Sequence, residues 1–138
     1  LYGAGLRVME CARLRTKDLD LDRRELVVRR GKGAKDRVAP LPASLRADLR
    51  AQLAFVRQLH ERDIAEGWGW VEVPGALARK FPNAGRELPW QWIFPATRPY
   101  FHEGTGQTRR HHLHESVLQK AVRAAAVAAG LTKRVHCH

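Results

Sequence analysis

The stretch ELVVRRGKGAKDRVA, residues 25–39, decides the class of fold. Glu25 to Arg30 is short and β-branched, which suits a strand. Gly31 to Asp36 is a turn, because its glycines tolerate positive φ. Arg37 to Ala39 returns as a second strand, and Pro40 ends it. The result is an antiparallel hairpin with a cationic tip: Arg29, Arg30, Lys32, Lys35 and Arg37 fall within nine residues. Such a cluster repels itself unless a polyanion is near. A loop lysine can also act as a point-charge donor to a leaving oxygen. A soluble turn without a partner is the plainer alternative.

Helices are expected on both sides of the hairpin. Leu1 to Leu14 reads as loop then helix, with Leu6, Met9, Ala12 and Arg13 at helical spacing. Asp18 to Asp22 is an acidic, turn-rich link. Downstream, Leu41, Leu45, Leu49, Leu53, Val56 and Leu59 recur every four or three residues, which predicts one amphipathic helix over about 43–66, closed by Gly67. Its charged remainder is a solvated face. Trp68 to Pro95 holds all four tryptophans between glycines and prolines. A short helix is expected around Gly75 to Phe81 and a short strand at Trp92 to Phe94. Arg98 to Arg110 reads as a loop. Glu115 to Ala129 is an alanine-rich helix with Val117, Leu118, Ala121, Val122 and Ala125 inward, and Gly130 suits the position after its end. The expected fold is mainly α with a small antiparallel β-sheet, an α+β domain.

The chain has 138 residues, 44% hydrophobic and 28% charged, as expected of one soluble globular domain or part of one. No apolar run approaches the ~20 residues of a membrane helix, so no membrane partner is expected. Two cysteines, Cys11 and Cys137, are too few for a disulfide framework, and a cytoplasmic setting is expected. Twenty-five Lys and Arg against 14 Asp and Glu give a net charge of +11. Residues 1–50 carry +6, residues 51–97 are neutral and residues 98–138 carry +5. Two basic blocks around a neutral one suit a polyanion, whose phosphates release counterions when neutralised.

Arg7 follows Gly3 and Gly5 near a helix start, where an arginine can clamp a phosphate bidentately; a solvated surface charge is the alternative. His111 and His112 follow Arg109-Arg110, a grouping suited to phosphates and unpaired bases. Trp90 and Trp92 share a face if extended, so one of them can stand outward as a stacking platform while core packing accounts for others. His111, His114, His136, Cys137 and His138 offer ligand types for zinc, yet no standard pair of spacings fits, and no metal is expected. No P-loop or GxGxxG appears.

Taken together, the motifs are more specific than their parts. Gly5-Leu-Arg-Val-Met-Glu10, then Leu14 to Asp20, then Gly31-Lys-Gly-Ala-Lys-Asp-Arg37 about 25 residues after the arginine, resembles the tyrosine recombinases. Cys137-His138 is similar to the start of their second active-site box. Ala76 to Ala84, Trp90-Gln-Trp-Ile-Phe-Pro95, Thr108 to Leu113 and Glu115 to Gln119 resemble the integron integrases, which carry an extra helical insertion, here about 68–90.

The resemblance covers essentially the whole chain and implies a partial catalytic domain truncated at both ends. It implies that Arg7 holds the scissile phosphate, that Lys32 protonates the leaving 5′ oxygen with Lys35 as the fallback, and that His138 contacts a phosphate oxygen or moves a proton. Arg30, Lys35, Arg37, Trp90, Arg109, Arg110, His111 and His112 are the expected DNA contacts, and Trp90, His111 and His112 match positions that grip extrahelical bases of folded single-stranded sites. The implied reaction is integration and excision of gene cassettes at integron attachment sites. It runs through a phosphotyrosine link in a tetrameric synapse of the full-length protein, with no cofactor. Two departures stand out. His114 occupies a position that is usually acidic, and the second arginine, the following His or Trp and the nucleophilic tyrosine should lie beyond residue 138, so this piece alone is expected to be inactive. A non-catalytic DNA- or RNA-binding module is the alternative.

Overall fold

The computed structural model describes residues 1–138 apart from Tyr2, Gly31 and His138 and the side chain of Lys32. In chain order its elements are α1 (Val8–Ala12), β1 (Leu19–Asp20), β2 (Glu25–Val28), β3 (Arg37–Pro40), α2 (Arg46–Ala65), α3 (Gly75–Lys80), β4 (Pro95–His102), β5 (Gln107–His112) and α4 (Glu115–Ala128). Single turns of 3-10 helix link several of them. The architecture is α+β, as the sequence implies.

The expected hairpin forms with Leu26 opposite Ala39 and Val28 opposite Arg37. Strand alternation sends Leu26 and Val28 inward, each at most 2% exposed, while Val38 on the other face is 62% exposed. The turn demands positive φ at Gly33 (77°) and Ala34 (59°). The acidic link contributes more than a turn: Leu19 and Asp20 pair with Leu26 and Glu25, making a third strand in the order β1-β2-β3.

The core collects around this sheet. Leu6, Cys11 and Leu14 from the opening segment, Leu26, Val28 and Ala39 from the sheet, Leu41 just after it, and Ile93 form one buried cluster, with Leu49, Leu53 and Leu118 packed against it. The leucine stripe of α2 thus faces the core at its centre, where Val56 is buried, and reaches the surface at Leu45 and Ile64. The inward face expected for α4 is only partly realised. Leu118 and Val122 are half-buried, whereas Val117, Ala121 and Ala125 are exposed, because little else packs on that side of the helix.

Two expectations for the middle are corrected. Arg98 to Arg110 is not a loop but most of a second antiparallel ribbon, β4 with β5, whose ladder is shifted between Pro95 and Pro99. Trp92 to Phe94 is no strand. Trp92 instead makes an isolated antiparallel bridge to Arg15. Backbone bonds from Thr16 N–H to the Gln91 carbonyl (3.0 Å) and from Ile93 N–H to the Leu14 carbonyl (2.9 Å) flank that bridge.

The segment between α2 and that bridge is fastened by one amide and one glycine. The Gln91 side-chain N–H₂ is buried and reaches the carbonyls of Gly69, Gly85 and Glu87 at 3.1–3.3 Å. Gly85 is needed for close approach, since a Cβ there would lie 2.7 Å from the Val71 carbonyl oxygen. Gly85→Ala is therefore expected to destabilise the fold by about 1–3 kcal/mol, as overpacking does. The midpoint of a urea titration measures this, and an unchanged midpoint would mean the segment gives way freely.

Candidate functional site

α1 is short, and its geometry is set by Glu10. The Glu10 carboxylate accepts the Arg7 backbone N–H at 2.8 Å and the Arg7 guanidinium at 3.2 Å. It also accepts both terminal nitrogens of Arg37 at 2.9 Å each, a bidentate pair. Arg37 further donates to the Gly5 carbonyl at 3.3 Å. The hydrogen bonds from Arg37, opposed by burial and then aided by the Arg7 N–H, pull the Glu10 carboxyl from 4.5 down to about 2. Glu10 was not singled out from the sequence. Its spacing of three from Arg7 within a helix is the signal that could have found it.

A carboxyl lowered on folding adds stability that is complete above its ordinary value and is lost as pH falls through the folded one. Here that window runs from 4.5 down to about 2. Arg37→Gln is expected to raise the Glu10 titration toward the ordinary range and to start acid unfolding at higher pH. An NMR titration of the Glu10 carboxyl reads this directly, and an unmoved titration would contradict the pairing.

The hairpin tip is tied down on its other side. Arg29 bridges Asp18 (3.1 Å) and Asp36 (3.0 Å), and Asp36 also accepts the Arg30 N–H at 2.9 Å. Arg7, Lys35, Arg37 and Cys137 then line one open cleft of about 670 Å³ together with Gly5, Leu6 and Asp36. The opening helix, the hairpin and the last described residue therefore meet at one place. The Lys32 side chain and His138 lie outside the described residues. Arg7 is turned to solvent there, with its side chain 56% exposed against 39% for Arg37.

A second, larger groove of about 1130 Å³ opens beside α1, with Arg13, Arg15, Lys17, Trp90, Trp92 and His111 among its walls. Arg15 organises it. Its guanidinium donates to the Trp90 carbonyl (2.8 Å) and the Glu72 carbonyl (2.7 Å) and lies 3.8 Å from the Trp92 ring centre. Burial pushes its pKa down to about 10. Lys17 sits 4.5 Å from the Trp90 ring centre. Of the two tryptophans, Trp92 is the core one, 6% exposed, and its indole N–H donates to the Arg110 carbonyl at 3.1 Å. Trp90 is half-buried at the groove.

Two expected DNA contacts are placed away from solvent by this geometry. Arg110 is buried. It grips Asp63 through Nε (2.9 Å) and a terminal nitrogen (2.8 Å), and its other terminal nitrogen donates to the Ala96 and Thr97 carbonyls, both at 2.8 Å. With these donors engaged away from solvent, it is a structural residue. His112 is also buried. Its Nδ1–H donates to the Leu113 carbonyl at 2.8 Å and its ring meets Trp92 edge-on, so it does not offer a face to a base. Burial lowers its pKa and favours the neutral ring. His111 is exposed beside it, with ring centres 4.0 Å apart. Arg109 is half-buried and donates to the Gln107 side chain at 2.9 Å. Arg30 is exposed.

Among the described residues no three His, Cys, Asp or Glu side chains come together as a metal site. Among them, too, no helix is long and apolar enough to cross a membrane.

The sequence matches the phage integrase family over residues 1–138, and the chain belongs to that family, the tyrosine recombinases. An integrase/recombinase of Escherichia coli is 44% identical over 138 residues, all of this chain and 41% of that protein. One from Pseudomonas aeruginosa gives the same figures. A tyrosine recombinase XerA of Thermococcus kodakarensis is 60% identical over 53 residues, 38% of this chain and 19% of that protein. A crystal structure of XerA recombinase superposes with a TM-score of 0.55 at 19% identity, covering 98% of this chain and 35% of that one. This last likeness concerns the fold. The chain thus spans 41% of the length of the relatives it matches along its whole sequence.

Proposed function

We propose that this chain is the first part of the catalytic domain of an integron-type integrase, a site-specific recombinase acting on DNA. The observation that carries the reading is the cleft shared by Arg7, Lys35, Arg37 and Cys137. It is large enough for a phosphodiester and is lined by cations from two separate elements, with the Asp36 carboxylate, itself paired with Arg29, also on its wall. In this reading Arg7 binds the scissile phosphate and stabilises the charge that grows on it in the transition state. Glu10 and Arg37 hold Arg7 and the hairpin together from behind.

The reaction requires a tyrosine from the rest of the protein. Its hydroxyl loses its proton to solvent as the oxygen attacks phosphorus, the bond to the 5′ oxygen breaks, and that oxygen takes up a proton from the hairpin lysine, Lys32, with Lys35 as the alternative. The phosphodiester energy is kept in the phosphotyrosyl bond. A 5′ hydroxyl of another strand reverses the step within a tetrameric synapse. His138, adjoining Cys137, is the proposed partner of a phosphate oxygen.

The groove walled by Trp90 and His111 supports the integron branch of the reading. Its half-buried indole and exposed imidazole suit unpaired bases of a folded single strand, with both cations and carboxylates on the walls, and the segment 68–90 with α3 is the proposed insertion. The test is covalent capture: full-length protein incubated with a folded attachment-site strand should form an adduct that resists denaturation. The piece 1–138 alone should form none. An adduct on neither folded strands nor duplex would leave a basic binding module in its place.

A further inference from the structure

Arg110 has more polar contacts than a residue needed only for packing. It sits where four parts of the chain meet. Its side chain holds Asp63 of α2 and the carbonyls of Ala96 and Thr97. Its N–H donates to the Trp70 carbonyl at 2.9 Å, and its own carbonyl accepts the Trp92 indole N–H at 3.1 Å. Ala96 and Thr97 lie inside the register shift of the β4–β5 ladder, between Pro95 and Pro99. The guanidinium therefore closes the gap that the irregularity opens, and such irregularities re-aim neighbouring side chains.

The one β5 residue that faces this irregularity is His111. Along β5 successive side chains alternate, so a buried Arg110 sends His111 outward. There its ring stands 6.3 Å from the Trp92 centre and 6.4 Å from the Tyr100 centre, on the wall of the large groove. α2 is the long rigid element of the molecule, 20 residues, and Asp63 fixes the ribbon to it.

We propose that Arg110, held by Asp63, is a positioning residue that sets the enzyme's preference for DNA with unpaired bases over plain duplex, by fixing His111 and the β4–β5 ribbon on the wall of the groove that Trp90 also lines. This rests on the base-gripping reading of the groove given above. Arg110 touches no DNA; it acts through His111.

The test compares the affinity of full-length protein for two DNAs, a hairpin with extrahelical bases and a fully paired duplex of the same length. Wild type should prefer the first by about tenfold or more, the size one stacked base carries. Arg110→Met combined with Asp63→Leu replaces the buried pair by apolar volume and should leave the fold intact. This variant should bring the preference to within about twofold while duplex affinity stays as it was. If the double variant does not fold, Arg110→Lys serves: it keeps one charge contact to Asp63 but cannot hold both carbonyls, and should lose part of the preference. A preference kept at the wild-type value in a folded variant overturns the positioning role alone. A wild type without any preference overturns both this role and the base-gripping reading.

Discussion

Arg7→Ala in the full-length protein is expected to cut the rate of covalent adduct formation by about 10²–10³-fold, the cost of removing one preorganised donor to a developing oxyanion. Stability should change by no more than about 0.5 kcal/mol, as for an exposed side chain. The two effects separate because Arg7 contributes to the fold mainly through its backbone. Its N–H bonds Glu10 at 2.8 Å, and that bond survives the substitution. The guanidinium contact to Glu10 is longer, 3.2 Å, and Arg37 keeps the carboxylate occupied at 2.9 Å without it. Arg7→Lys should recover little, since an ammonium cannot present two parallel donors to a phosphate. Quenched-flow measurement of adduct formation with a nicked substrate checks the rate, and a melting curve checks the fold.

Asp63→Ala should be the most destabilising single change among the polar residues. It leaves the Arg110 guanidinium buried without its counter-charge, a loss of about 3–5 kcal/mol for breaking one partner of a buried pair. Both side chains are under a tenth exposed, so water cannot readily replace the carboxylate. Replacing both residues by apolar ones should be far milder, because no charge is then stranded. Denaturant titrations of the single and double variants check the contrast. Equal losses in the two would mean that the pair is solvated and contributes little.

The sequence carried the parts of the fold that local chemistry determines. The β-branched run at Val27 and Val28 and the glycines around Lys32 specify a hairpin. The leucine spacing from Leu41 to Leu59 specifies α2, and the alanines after Glu115 specify α4. The β4–β5 ribbon was not readable in the same way. Pro99, Gly104, Gly106 and a row of charged and polar residues carry no alternation of apolar and polar positions, and pairing with a partner strand makes the strand. β1 is two residues long, too short for any periodic signal.

The site shows the same division. Arg7 and the hairpin cations stand in motifs whose spacing is local, so the sequence alone can propose them. Arg110 and His112 share a run of basic residues with Arg109 and His111, and nothing in that run says which ones turn inward. The answer lies 47 residues away at Asp63 for Arg110 and in the Trp92 ring for His112. Glu10 and Arg15 were missed for a related reason: their importance comes from partners brought close by folding, Arg37 and the two tryptophans.

The most direct test of the account is a crystal structure of the full-length protein with a DNA strand carrying a cleavable phosphate, trapped before the tyrosine attacks. That phosphate should lie in the cleft of Arg7, Lys35 and Arg37, within hydrogen-bonding distance of the Arg7 guanidinium and of the hairpin lysine. A scissile phosphate bound elsewhere, with Arg7 turned to solvent, would contradict it.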